Sequence, residues 1–346
     1  MYTLQNLLKI TGHQVDKETL RFATLGFLIP LFSERPALAF GNLRWHKDRI
    51  LAAIALDQLR LCFDQFGRFC GHVLWTSVAP DMESVLLKHG SEAIEGNHFS
   101  DGDNIWILDM GSHGGKLNNL LSVLRDDWLA DAPAVTYLRV KNGRRLAKRL
   151  SRNSISSFFR APHTEEFSDI LARQDGSGLL HSCREVVESA IEAGQFFELM
   201  GETPEMSQLP IAMVVARLRA PLNLRQRKLY FGTDGKPAGF ITWAWLENDT
   251  VTPKPIHALQ PFEWNEGESL CLMDAVALPD AVAEMQNDLA CSWFHGEAVA
   301  VYGRSENSIS GKNKMWSVAE RSLLASELGV IKPPINLAMT LTRGEG

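Results

Sequence analysis

The sequence predicts an α+β protein made of two tandem copies of one domain, each a mixed, mostly antiparallel sheet with helices packed on it. Three observations predict it. The chain matches itself over a long ungapped stretch. Each copy runs in the order helix, hairpin, strand, helix, strand, which describes an α+β sheet domain. The composition suits two cores: 346 residues, 45% hydrophobic and 22% charged, ordinary values for globular domains of this size.

The self-match sets the domain organisation. At a shift of 168 residues, the distance from Gly26 to Gly194, Gly26 to Trp75 lies on Gly194 to Trp243 without a gap. Identities include Gly26/Gly194, Glu34/Glu202, Pro36/Pro204, Gln58/Gln226, Phe63/Phe231, Gly67/Gly235, Gly71/Gly239 and Trp75/Trp243. The match resumes at a shift of 165, where Leu108-Asp109 lies on Met273-Asp274 and Trp128 on Trp293. So many glycine, proline and tryptophan coincidences in register mean a duplication. The copies are 1–160 and 175–346, joined through turn-like sequence such as Asp175-Gly176-Ser177-Gly178.

Each element then follows in order. Glu185 to Met200 carries apolar residues at helical spacing. Two alternating stretches flank the turn signal Asp234-Gly235-Lys236-Pro237, with Gln65-Phe66-Gly67-Arg68 as its weaker counterpart. Each flanked turn predicts a hairpin. Strands are expected at Asn104 to Asp109 and Leu270 to Asp274, then at Val135 to Val140 and Ala298 to Tyr302. Helices at Lys116 to Leu129 and Asp280 to Phe294 come between them.

Composition excludes several classes. The net charge of −6 and pI near 6.0 argue against a nucleic-acid binder, so any basic work is local. No apolar run approaches the ~20 residues of a membrane span. The N-terminal residues lack a signal peptide's basic start and apolar stretch. Five cysteines, an odd number without a CxxC pair, read as reduced thiols in a cytoplasmic protein that binds no metal.

The segment Asp234 to Ala244 resembles the centre of the toxin-activating lysine acyltransferases, which acylate lysines of RTX haemolysins. In that family a Gln-bearing strand enters an Asp-x-x-Pro turn and a strand ending Trp-Ala; Gln226 and Trp243-Ala244 stand in those places. Glu263-Trp264-Asn265-Glu266-Gly267 and Met273 to Asp280 are similar to its later Asp-Trp-x-x-Gly segment and Asp-rich loop. The resemblance spans about 185–310 and reaches the first copy through the repeat. It implies a GNAT-like fold in each copy, transfer of a fatty acyl group from an acyl carrier protein to a protein acceptor, and no bound cofactor. The absence of an Arg/Gln-x-x-Gly-x-Gly/Ala loop for a coenzyme A pyrophosphate agrees with a carrier-protein donor. The duplication predicts an internal pseudo-dimer, hiding apolar surface that single-domain relatives would bury by dimerising.

Acyl transfer to lysine needs a base, because an amine of pKa ~10.4 is protonated at neutral pH, and donors for the oxyanion. The resemblance implies a histidine base in a Ser-x-x-His element and an aspartate in the loop after the later strand. Anchored on the shared proline, the histidine positions are Met206 and Leu38, so both copies lack it. Asp280 stands at the aspartate position, where the first copy has Ser112-His113-Gly114-Gly115. His113, His46, Glu202 and Glu34 are the substitute bases the sequence offers, each equally readable as a surface or capping residue. The departure leaves a second reading open: a catalytically inactive relative that binds an acyl chain, a carrier protein or a partner.

Arg139, Lys141, Arg144, Arg145, Lys148, Arg149 and Arg152 follow one another with no intervening acid. They form either a solvated hairpin end or a dock for an acidic carrier, with Arg144 and Arg145 at its centre. Trp243 lines an acyl groove or closes a strand's core face.

Overall fold

The computed structural model describes residues 2–64, 66–99, 102–113, 120, 132–142, 144–151, 154, 177–247, 256–289, 299–301 and 315–316. The chain divides into two compact units: Met1–Phe27 with Trp45–Gly194, and Leu28–Arg44 with Gln195–Gly346. The copies 1–160 and 175–346 describe the repeat in sequence; packing groups the chain differently. Helix α2 (Lys17–Ser33) and helix α5 (Ser177–Glu202) each contribute residues to both units.

Unit 1 holds a six-stranded sheet in the order β1-β2-β3-β4-β5-β6. Its strands are β1 (Tyr2–Thr3), β2 (Leu59–Phe63), β3 (Phe69–Val78), β4 (Asn104–Ser112), β5 (Ala134–Lys141) and β6 (Arg144–Ser151). All pairings are antiparallel except β4 with β5. Helices α1 (Leu4–Ile10), α3 (Leu43–Ala55) and α4 (Pro80–His89) precede or interrupt the strands, and α3 lies in unit 1 from Trp45 onward. Cys62, Cys70, Val73, Trp75, Ile107, Val135 and Leu150 form one core cluster. Across the hairpin β5–β6, Val135 pairs with Leu150 at the buried end, while Arg139, Lys141, Arg144 and Arg145 lie exposed at the other.

Unit 1 also contains a close helix crossing. Cβ atoms built on Gly26 of α2 and Gly194 of α5 would lie 1.8 Å from the carbonyl oxygens of Ala190 and Phe22 respectively. Only glycine admits backbones this near. Phe22 and Ala190 are themselves 168 residues apart, so the contact is reciprocal between the copies.

Unit 2 holds a five-stranded sheet in the order β11-β10-β9-β8-β7. Here β7 is Arg227–Phe231, β8 Pro237–Leu246, β9 Ser269–Ala277, β10 Val299–Val301 and β11 Met315–Trp316, with only β9 and β10 parallel. Helix α8 (Pro279–Asn287) supplies Ala281 and Met285 to the core on one side, with Tyr230, Ile241 and Leu272. On the other, α7 (Ile211–Leu224) supplies Ala220 to a cluster with Ala244, Trp264 and Met273. The short α6 (Pro204–Ser207) precedes α7. Asn42 and Pro210, again 168 apart, meet in an isolated antiparallel bridge within this unit.

The expected hairpins and strands are present, and their detail repeats. Strands β2 and β7, and β3 and β8, have equal lengths at a shift of 168; β4 and β9 do so at 165. Register shifts fall at Cys62/Phe63 and Leu74/Trp75 in one sheet and at Tyr230/Phe231 and Thr242/Trp243 in the other. Gly67 and Gly235 both carry a positive φ in their hairpin turns. In the first turn Asp64 Oδ1 accepts from the backbone N–H groups of Phe66 and Arg68; in the second Asp234 Oδ1 accepts from Lys236.

Helices α3 and α7 were not expected from sequence. In α3 the polar residues His46, Lys47 and Arg49 are buried, which breaks the apolar period, and α7 carries Pro221 near its end. The helix expected at Lys116 to Leu129 lies outside the described residues, Leu120 apart, as do Trp128, Trp293 and Cys291. The other four cysteines are buried thiols that form no disulfide among the described residues.

Candidate functional site

The second register shift in each sheet sets the site. At it, the Trp75 N–H donates to the Gln58 carbonyl at 3.0 Å and the Trp243 N–H to the Gln226 carbonyl at 3.1 Å. The residue before each shift faces an aspartate on the neighbouring strand: Leu74 pairs with Asp109, and Thr242 with Asp274. The same backbone thus offers a carboxylate at the same position in both units.

In unit 2 that carboxylate is closed off. Arg217 of α7 donates from Nε to both oxygens of Asp274, at 2.8 and 2.9 Å, and from Nη2 to Oδ1. The Thr242 hydroxyl adds a bond to Oδ2 at 3.3 Å. The Asp274 side chain is 1% exposed. Burial works against the charge on Arg217, but Asp274 outweighs it through its charge and hydrogen bonds, and the guanidinium is held above its ordinary pKa. A bidentate fork of this kind fixes both partners.

In unit 1 the partner is different. Leu74 has no hydroxyl to offer, and His72 stands where β8 carries Phe240. Its Nε2 lies 2.7 Å from Asp109 Oδ2. His72 is fully buried, while the Asp109 side chain is 13% exposed, so this carboxylate is backed by imidazole and retains some contact with solvent. Arg49 of α3, the counterpart of Arg217, is buried with its Cζ 5.0 Å from the Trp45 ring centre. Burial pulls its pKa down to about 10, against the opposing charges of Asp109 and Glu92. One guanidinium position therefore has two electrostatic states: bound to its aspartate in unit 2, deprived of it in unit 1.

A family model describing RTX toxin acyltransferases matches residues 17–153 and 188–316, more than half of the chain and one segment in each copy. The chain belongs to the RTX toxin acyltransferase family. That membership implies acyl transfer in toxin activation, with a toxin protein as acceptor. No curated protein matches the chain.

The sequence-derived residues of this family member fall in both units. Asp280 is exposed in the first turn of α8, after Pro279, where a carboxylate also complements the helix dipole; its Oδ2 would lie 3.3 Å from a Cβ at Gly232. Glu202 ends α5, half-buried, and Glu34 is exposed. Both lie in unit 2, as do Leu38 and Met206. His113 is exposed in unit 1, its backbone N–H bonded to the Cys70 carbonyl at 2.7 Å. His46 is buried beside Trp45, with ring centres 4.6 Å apart. Trp243 is half-buried against the core of its sheet. Arg144 and Arg145 are exposed on the edge strand β6, and Arg145 Nη1 donates to the Lys88 carbonyl at 3.0 Å.

Sequence reasoning aligned Asp109 with Asp274 but assigned neither a role, and it passed over the identity Arg49/Arg217 inside the ungapped block. That identity was the available signal: an arginine kept at one position in both copies of the repeat. Among the described residues no cluster of side chains suits a metal ion, and no helix is long and apolar enough to cross a membrane.

Proposed function

We propose that this chain is a protein-lysine fatty acyltransferase that takes its acyl group from an acyl carrier protein and works through unit 1. The observation that carries the reading is the contrast between the two carboxylates: Asp109 is partly exposed and paired with the His72 imidazole, whereas Asp274 is buried in the Arg217 fork. Asp109 accepts a proton from the substrate ammonium. The freed amine attacks the thioester carbonyl carbon, a C–N bond forms, and the carbonyl π electrons move to oxygen. Collapse breaks the C–S bond; the carrier's thiolate leaves with the electron pair and takes a proton that the nitrogen has lost. His72, hydrogen-bonded to the same carboxylate, orients it.

The exposed Arg144 and Arg145 suit an acidic carrier, and the lack of a pyrophosphate loop favours a carrier protein over coenzyme A. The reciprocal contacts Gly26·Ala190 and Phe22·Gly194, with the Asn42·Pro210 bridge, support an internal pseudo-dimer of GNAT-like copies. The test is intact-mass spectrometry of octanoyl- and myristoyl-carrier proteins mixed with the chain and a lysine peptide. Acyl transfer that Asp109→Asn abolishes supports the reading; wild-type turnover in Asp109→Asn overturns it.

The apolar Leu38 and Met206 at the histidine positions favour a second reading, a binding module without turnover. Native mass spectrometry showing a stable, unreacted complex with the acyl carrier would select it.

A further inference from the structure

We infer that the guanidinium of Arg49 holds the carbonyl oxygen of the acyl group as negative charge develops on it. The inference rests on the reading of unit 1 as the transfer site.

Arg49 is 5% exposed. Its Nε and Nη2 are buried and have no hydrogen-bond partner among the described residues. A buried charged donor left unmatched is costly, and charged groups are kept inside a protein when something pairs with them. The counterpart in unit 2 demonstrates what these atoms can do: Arg217 uses Nε and Nη2, the same two nitrogens, to bind the Asp274 carboxylate. In unit 1 His72 binds the equivalent aspartate, and the fork of Arg49 is left for an incoming oxygen.

The surroundings select the kind of oxygen. Asp109 and Glu92 both act on the Arg49 charge, and Trp45 covers one face of the guanidinium. A phosphate dianion would meet two carboxylates and be repelled. A neutral carbonyl enters without that repulsion and acquires a single negative charge only during the reaction. Donors fixed where that charge appears stabilise the transition state more than the ground state. The histidine that stands where the other copy has phenylalanine thus binds the aspartate itself and leaves Nε and Nη2 of the arginine unmatched.

The experiment follows the Arg49 Nε–H resonance of 15N-arginine-labelled full chain during addition of the amide analogue of octanoyl-pantetheine, which keeps the carbonyl but cannot transfer. A downfield shift of the Arg49 proton, absent from Arg49→Lys and without change at Arg217, is expected. Alongside it, Arg49→Lys should lose roughly 10²–10³-fold in kcat with little change in KM for the acyl carrier, and guanidinium added to Arg49→Ala should restore part of the rate. An unshifted Arg49 signal, or Arg49→Lys turning over as wild type, overturns the inference. Wild type without turnover would sink the proposed function instead, and the Arg49 shift would still report whether the guanidinium holds a carbonyl.

Discussion

Gly26 lies against Ala190 so closely that a Cβ on the glycine would sit 1.8 Å from the alanine's carbonyl oxygen. The obstacle is helix backbone, which cannot rotate aside as a flexible side chain would. Gly26→Ala is therefore expected to cost about 3 kcal/mol or more, and Gly194→Ala, which meets the Phe22 carbonyl at the same distance, a similar amount. Urea unfolding checks both. A loss below about 1 kcal/mol in each would mean that the crossing opens freely.

The three aspartates should separate cleanly. Asp109→Asn is expected to lower kcat by roughly 10²–10⁴-fold, the usual contribution of a positioned acid–base group, with an unchanged melting temperature. Asp274→Asn leaves Arg217 without its partner; because the guanidinium is partly exposed, a stability loss of about 2–3 kcal/mol is expected, below the full cost of breaking a buried pair. Its kcat should stay near wild type where the chain is folded. Asp280→Asn, at an exposed helix start, should cost at most about 1 kcal/mol. Loss of turnover in this variant, with the fold intact, would return the role to Asp280.

Replacing His72 with the residue of the other copy tests the contrast directly. In His72→Phe the Asp109 carboxylate loses its imidazole partner and is expected to turn to Arg49, as Asp274 does to Arg217. Activity should fall by about 10²-fold. A variant with wild-type rate would reduce His72 to a packing residue.

The basic edge strand predicts a salt-dependent donor interaction. Arg144→Glu with Arg145→Glu should raise KM for the acyl carrier severalfold at low ionic strength with kcat preserved. The difference should shrink as salt screens exposed charges. An unchanged KM at low salt would assign these residues to the solvated face of the hairpin.

Burial pushes the Cys271 thiol up to about 11. The sign follows from the unfolded chain, where the thiol ionises near its ordinary 9.0 while the folded thiol stays neutral. The contribution is intact below about pH 9 and is lost as pH rises toward 11. The slope is about 1.4 kcal/mol per pH unit for one group. Urea melts at pH 8 to 11 should show this decline, less steep in Cys271→Ala; Cys62, raised by burial in the same way, accounts for part of what remains.

The hairpins and central strands were legible because turns and alternation are local signals: Asp234-Gly235 fixes its turn with its own side chain and a positive φ. The buried polar face of α3 hid that helix, since His46, Lys47 and Arg49 interrupt the apolar pattern. The site was harder still. His72 and Asp109 are 37 residues apart and meet only through strand register, and a one-residue slip would turn one of them to the other face. Arg49 and Arg217 look alike in sequence, and their different partners emerge only from the residue across the strand.

The grouping of α2 and α5 across both compact units bears on how such a chain can change over generations. A deletion that removed the second copy would strip Ser177–Gly194 from unit 1, and one that removed the first would take Leu28–Arg44 from unit 2. Each half of the gene is thus under selection for the other's foldability. The second copy is thereby held to the first at Gly194, which only glycine can fill beside the Phe22 carbonyl.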